Sequence, residues 1–187
     1  MLLLAVVALG IAAVVATGGR LSQLGCVRFR RTGALAAAGA VQVVITTWTH
    51  GPPHLHEALH LLSYACAACF VVANARVPGV VLVGSGGLLN AAAIAANGGV
   101  MPAAPGAVAT AGIPDAAGGF ANSQTVDGAN LWFLGDVFAV PEAWPLANVF
   151  SVGDVVIAIA VVYALHRICR RPPVPRPTTE GMVAAAR

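Results

Sequence analysis

Long apolar stretches alternate along this chain with short segments that hold most of its charge. Four stretches lie in the first half, at about residues 1–17, 33–48, 55–74 and 77–96, and a fifth lies at about 152–168. Because a helix rises about 1.5 Å per residue, a run of roughly 20 apolar residues spans the core of a bilayer. The pattern predicts an all-α fold, an integral membrane helical bundle of about five transmembrane helices within residues 1–171.

The first stretch has two interpretations. A secretory signal peptide begins with a positively charged region, whereas the first basic residue of this chain is Arg20. We therefore expect a short transmembrane helix whose amino end lies outside the cell. Cleavage of this stretch as a signal peptide is the alternative.

The composition points to the same class of protein. Hydrophobic residues make up 58% of the 187 positions, charged residues only 9%, and the mean hydropathy is +0.83. A soluble domain has about 25% charged residues, so this chain lacks the charge to cover a water-facing surface. The lipid bilayer is the expected partner.

The basic residues predict which way the bundle is oriented. All ten are Arg, and they occur only in the first loop, in the third loop and from the end of the fifth stretch onward. Alternate loops of a five-span protein share a side, and loops rich in Arg face the cytoplasm. We predict a multi-pass protein with its amino end outside and its carboxyl end inside. The net charge is +3, and the Arg residues that produce it flank the apolar stretches. We therefore expect no nucleic-acid partner.

Two segments lie outside the apolar stretches. Residues 97–151 form a long outer segment that holds Asp115, Asp127, Asp136 and Glu142. Within it, residues 131–150 are too apolar for an ordinary loop and too rich in Pro for a span, which predicts a re-entrant or interfacial element. Residues 172–187 are polar and rich in Pro, and we expect a disordered cytoplasmic tail.

Three polar residues are the candidate ligand-binding residues. Asp136 and Asp154 lie in a near-repeat, Leu134-Gly-Asp-Val and Val152-Gly-Asp-Val, and Asn97 begins the outer segment. A carboxylate within a membrane region is a functional hypothesis by default. For Asp154 the alternative is a capping box with Ser151, three residues earlier. Asn97 and Asn90 are also typical of hydrogen bonds between membrane helices.

A metal site is the low-ranking alternative. His56, Glu57 and His60 form H-E-x-x-H, which on a helix brings two His to one Zn²⁺ and a Glu to its bound water. A third ligand is needed, and no second motif supplies one; His50, His54 and three Asp are the candidates. The opposing interpretation is a helix start after Pro52, with Glu57 in the first turn. We expect no cofactor, with Zn²⁺ as the exception.

A row of small residues marks the fourth stretch. Gly84, Gly87, Ala91 and Ala95 would let another helix approach closely. The face predicts packing within the bundle, or contact with a second copy or a membrane partner.

Five short elements carry a family resemblance. They are Gly18-Gly-Arg-Leu21, Leu62-Ser-Tyr64, Asn97-Gly-Gly-Val-Met-Pro102, Phe133-Leu-Gly-Asp136 and Phe150-Ser-Val-Gly-Asp154. In this order they resemble a family of small bacterial polytopic membrane proteins catalogued as a domain of unknown function (number 5317). The resemblance implies a bacterial cytoplasmic membrane protein, and it implies no catalytic residues.

These observations leave three functions open. The leading one is a non-enzymatic membrane protein that binds a small polar or lipid ligand, or a membrane partner, at its outer face. A transporter-like or channel-like component is the second, and it requires Asp136 or Asp154 to face a water path. A zinc-dependent membrane metalloprotease using His56, Glu57 and His60 is the third.

Overall fold

A computed structural model gives the fold and describes residues 2–48, 52–113 and 123–170. His50, Asp115 and the tail predicted at 172–187 lie outside these ranges. The chain is mostly helical, as predicted. The α-helices of the described residues are α1 (Leu2–Ala16), α2 (Thr32–Thr47), α3 (Pro53–Ala73), α4 (Val80–Ala96), α5 (Pro105–Ala111) and α6 (Val152–Cys169).

The five long helices lie within a few residues of the five predicted spans. By length and composition, α3 from His54 onward and α6 are long and apolar enough to cross a membrane. The other three, α1, α2 and α4, are apolar but have only 15, 16 and 17 residues. Among the described residues, two helices are therefore long enough to span a membrane. The prediction of five spans rests on the apolar composition of the other three helices and not on their length.

The long helices pack in the order α2, α3, α4, α6 and α1. Neighbours from α2 to α6 are antiparallel, whereas α6 and α1 run parallel, with Gly10 against Val162 and Gly19 against Cys169. At one end, the backbone N–H of Arg20 donates to the Cys169 carbonyl at 2.9 Å. At the same end, the Asn74 side chain donates to the Arg30 carbonyl and accepts from the Arg30 N–H, both at 2.8 Å. The Arg residues of the described chain lie in the segments of this end, at positions 20, 28, 30, 31, 76, 167 and 170.

The closest helix contact joins α4 to α6. A β-carbon added to Gly86 would lie 2.6 Å from the Gly153 carbonyl, so only hydrogen atoms fit between the two backbones. Of the predicted small-residue face, Gly84 packs against Val71 of α3, whereas the space beside Gly87 is open. The helix crossing therefore uses a neighbouring row of α4, and a contact of the predicted face with a partner remains a prediction.

The outer segment folds into a small unit, here called the cap (residues 97–113 and 123–151). It contains four short strands that the all-α prediction did not include: β1 (Met101–Pro102), β2 (Ser123–Gln124), β3 (Phe138–Val140) and β4 (Asn148–Phe150). Strands β1 and β2 pair in parallel, and β3 and β4 form an antiparallel hairpin. Helix α5 packs on the hairpin through Ala107, Ala111 and Val149.

Residues 131–150 consist of a 3-10 turn (Trp132–Leu134) followed by this hairpin. The hairpin satisfies its backbone within the cap, and the turn contacts α4 and α6. A re-entry of this element into the bilayer remains a prediction.

Candidate functional site

Asp136 joins two separate parts of the cap. Its backbone N–H donates to the Pro102 carbonyl at 2.9 Å, and its carbonyl accepts from the Ala104 N–H at 3.0 Å. Its carboxylate accepts a hydrogen bond of 2.5 Å from the Ser123 hydroxyl. Asp136 is only 7% exposed, and it is the buried residue that links the turn at 132–134 to β1 through its backbone and to β2 through its carboxylate.

The preceding residue explains why the motif is Gly-Asp. A β-carbon on Gly135 would lie 2.2 Å from the Pro102 carbonyl oxygen. That oxygen is the acceptor for the Asp136 N–H, so any side chain at position 135 would push β1 away. The close approach of the two backbones is thus a requirement for burying the Asp136 carboxylate.

Burial raises the pKa of Asp136 from 3.8 to about 6, because the charged form loses its water. The hydrogen bond from Ser123 opposes this shift, and the negative charge of Asp154 adds to it. The carboxyl of Asp136 therefore changes its charge in mildly acidic solution.

Asp154 begins α6 as the acid of a capping box. The Asp154 N–H donates to the Ser151 hydroxyl, and the Ser151 N–H donates to the Asp154 carboxylate, both at 3.0 Å. The Asn90 amide donates to the same carboxylate at 2.9 Å, and the Ser151 hydroxyl donates to the Asn90 side-chain oxygen at 2.8 Å. The capping interpretation of Asp154 and the helix-joining interpretation of Asn90 are both confirmed.

Tyr64 of α3 lies near the polar residues at the start of α6. Its side chain interacts with Asn90 and is near enough to Asp154 and Asp136 to sense both charges. It also packs on the apolar cluster of Ala93, Ile94 and Met101. Tyr64 therefore connects the polar residues at the start of α6 with Met101 of the cap.

Asn97 has a different role from the two Asp residues. Its amide donates to the Asn130 carbonyl at 2.8 Å and to the Ala93 carbonyl at 2.7 Å. Its side-chain oxygen accepts from the Asn130 N–H at 2.9 Å. Asn97 thus fastens the second half of the cap to the end of α4. Its hydrogen bonds go to backbone groups and not to either carboxylate.

A cavity of about 440 Å³ opens beside β1. The described residues that line it carry no charge: Pro102, Ala103, Ala104, Pro105, Val126, Gly128, Ala129 and Trp132. Two of these lining residues, Pro102 and Ala104, hydrogen-bond through their backbones to Asp136. Asp136 therefore holds one wall of the cavity in place. Its volume lies within the range of ligand-binding pockets.

The H-E-x-x-H residues contact the backbone. His56 is fully buried, and its ring nitrogens hydrogen-bond to the carbonyls of Pro52 and Trp48. Nδ1 of His60 donates to the Gly99 carbonyl at 2.8 Å. The His56 bonds hold the start of α3 to the segment before it, and the His60 bond holds α3 against the turn after α4.

Glu57 pairs with His54 at 3.4 Å and lies against Gly99. Within residues 2–48, 52–113 and 123–170, no group of three or more His, Cys, Asp or Glu side chains is arranged to hold a metal ion. The zinc alternative remains a prediction.

Sequence reasoning did not identify Ser123, nor the cavity residues Ala129 and Trp132. Ser123 lies in a polar segment without a motif, and its role depends on a partner thirteen residues away. Trp132 lines the cavity and is exposed, and no motif of the sequence includes it. Small residues such as Ala129 give no signal of a cavity in a sequence rich in Ala.

Comparisons with known proteins agree with the resemblance seen in the sequence. No curated protein and no solved structure matches the chain. Residues 27–166 match the family of unknown function DUF5317, a range that begins before α2 and includes the cap and most of α6. Since this range is most of the chain, the protein belongs to the DUF5317 family.

Proposed function

We propose that this protein is a five-span protein of the bacterial cytoplasmic membrane that binds a ligand in its outer cap and catalyses no reaction. Its amino end lies outside and its carboxyl end inside. The observation that carries the proposal is the cavity of about 440 Å³ in the cap, whose wall is held by the buried Asp136.

The outer surfaces of the helices support membrane insertion. Every long helix exposes a large apolar side chain over 60% or more of its surface: Leu9, Val43, Val72, Leu88 and Ile159. Exposed large apolar side chains on all five long helices are the pattern expected where the outer surface of a bundle faces lipid. A bilayer would bury the exposed apolar side chains of the three shorter helices as well as those of the two long ones.

The Arg residues support the orientation. The described Arg residues lie in the segments at one end of the bundle, whereas the cap lies at the opposite end and contains none. Basic segments are retained in the cytoplasm during insertion. The cap, with its cavity, therefore faces the outside of the cell.

A cysteine-labelling experiment tests this topology. In a variant without the native cysteines, Asp127→Cys puts a thiol on the exposed surface of the cap. The matched control restores only Cys26, which is exposed at the Arg end. An impermeant maleimide applied to intact cells should label position 127 and should label position 26 only after permeabilisation. The reverse pattern would overturn the orientation.

A second pair of variants tests the ligand site. Ala129→Trp fills the cavity, whereas Ala109→Trp adds the same side chain at an exposed position of α5 outside the cavity lining. Water-soluble metabolites and lipids are tested for a shift of the thermal unfolding midpoint. We expect at least one compound to raise the unfolding midpoint of the wild-type protein and of the Ala109→Trp variant. The same compound should leave the midpoint of Ala129→Trp unchanged. The proposal would be contradicted if no compound raised the midpoint of the wild-type protein. It would also be contradicted if every stabilising compound raised the midpoints of all three proteins equally.

The second candidate is a transporter-like component, favoured by the polar residues at the start of α6. Asn90, Ser151 and Asp154 form a hydrogen-bonded group between α4 and α6, and Tyr64 connects it to the cap. If solute passes here, Asp154→Asn should abolish flux in proteoliposomes while the cap still binds its ligand. Unchanged flux of a transported solute in this variant would remove Asp154 from the path.

A further inference from the structure

The geometry points to one chemical class for the occupant of the cap cavity: the acyl chain of a membrane lipid. This inference rests on the proposed function and specifies its ligand. Three features of the cavity carry it, namely its lining, the position of its rim, and the rigidity of its walls.

The lining selects an apolar group. Its side chains come from Pro, Ala, Val, Gly and Trp, and the Trp132 indole is the only polar side chain among the described lining residues. A charged or strongly polar ligand would lose its hydration on entry, and among the described lining residues only the Trp132 indole could compensate that loss. An acyl chain requires no hydrogen bonds, and its burial gains free energy in proportion to its length.

The rim of the cavity lies where lipid is close. Trp132 lines the cavity and is 65% exposed, and its neighbours Leu131 and Phe133 are also exposed. The turn that holds Trp132 contacts α4 and α6. In the proposed topology the outer ends of these helices lie at the bilayer surface, so three consecutive apolar side chains connect that surface with the cavity.

The cavity is preformed. The Asp136 carboxylate ties β2 to the wall through Ser123, and the Ala103 N–H donates to the Gln124 carbonyl at 2.9 Å. A preformed cavity binds its ligand without a cost for ordering its own walls.

The charged residues of the cap predict that the site does not select the head group of a lipid. The described cap contains no Arg and no Lys, and Glu142 lies against Gly112, away from the cavity lining. An anionic head group therefore has no basic partner here. Binding should depend on the length of the chain more than on the head group, and it should be insensitive to salt.

Trp132 itself provides the probe for the test. Trp48→Phe and Trp144→Phe leave Trp132 as the sole tryptophan of the chain. This variant is purified in detergent micelles and titrated with dibromostearate, whose bromine atoms quench tryptophan fluorescence on contact. We expect saturable quenching, and competition by unbrominated stearate. A linear response without saturation would indicate partition into the micelle and would overturn the proposal.

Matched variants locate the binding. In the single-tryptophan background, Ala129→Leu should weaken dibromostearate binding about tenfold or more, because its side chain occupies the cavity. Ala109→Leu, on the exposed side of α5, should leave binding unchanged. Near-UV circular dichroism checks that both variants retain a folded cap. Equal affinity in the two folded variants would overturn the proposal.

The acyl-chain inference and the proposed function can fail separately. If stearate does not bind while a water-soluble compound stabilises the wild-type protein and not Ala129→Trp, the cavity is a ligand site of another class. If labelling shows the cap inside the cell while stearate still saturates Trp132 quenching, the site stands and the orientation is wrong.

Discussion

Gly153 of α6 lies directly beneath the side chain of Asn90 of α4. A β-carbon added to Gly153 would be 1.9 Å from Oδ1 of Asn90 and 2.6 Å from the Gly86 carbonyl oxygen. The first contact is with an amide that already bonds to Ser151 and Asp154, and the second is with backbone. The absence of a side chain at position 153 is therefore what permits the polar contact between the two helices.

Gly153→Ala should destabilise the protein. Neither neighbour of the added methyl group can move freely, so α4 and α6 must separate or the Asn90 bonds must break. Overpacking of this kind costs about 1–3 kcal/mol. Denaturant unfolding in detergent micelles measures the change. The control is Gly87→Ala, which meets open space on the same helix as Asn90 and should stabilise α4 by up to about 1 kcal/mol.

Ser151→Ala should cost about 2–3 kcal/mol of unfolding free energy. The change removes the capping hydroxyl of α6 and leaves the buried Asn90 oxygen without the donor that it has in the wild-type protein. Ser85→Ala is the matched control, because the Ser85 hydroxyl is exposed and bonds only to the Leu82 carbonyl of its own helix. Equal unfolding midpoints for the two variants would contradict the role assigned to Ser151.

Asp136 should make the stability of the cap depend on pH. Its pKa is about 6 in the folded protein and 3.8 as the ordinary value, so the native state keeps a proton that the unfolded chain releases between these values. The stability that the folded protein gains from the neutral carboxyl is fully present below pH 3.8. It is lost as the pH rises through about 6. The free energy of unfolding should fall by on the order of 2 kcal/mol over this interval.

Asp136→Asn should remove this slope, because an amide cannot ionise and its oxygen still accepts the Ser123 hydrogen bond. Asp127→Asn changes an exposed carboxyl of the same cap and should keep the slope. Denaturant midpoints of the three proteins across the interval are the measurement. A wild-type slope that persists in Asp136→Asn would show that another group titrates there.

The zinc alternative has a direct test. His56 and His60 hydrogen-bond to the carbonyls of Pro52, Trp48 and Gly99, so we expect purified protein to carry no stoichiometric Zn²⁺. His60→Ala should lower the thermal unfolding midpoint, since it removes the bond between α3 and the Gly99 turn, and a chelator should leave the wild-type midpoint unchanged. One Zn²⁺ per chain, lost in His60→Ala, would restore the metalloprotease hypothesis.

The helices and the capping box were predictable because their causes are local. Apolar runs of helical length define α2, α3, α4 and α6 to within a few residues, and the Ser151-to-Asp154 spacing alone predicts the start of α6. The four strands were not predictable, since they are only two or three residues long. So short a strand shows no alternation of apolar and polar positions.

The sequence by itself determined where the long helices lie, which end carries Arg, and that the residues before Asp154 would cap a helix. Only the tertiary structure decided that α4 meets α6 through Gly86, because nearly every residue of α4 is small or apolar and the pattern cannot select a face. It also decided that Asp136 is buried against Ser123 behind a cavity while Asn97 holds the loop at Asn130. These contacts join residues 13 and 33 positions apart, and their energy exists only once the chain has folded.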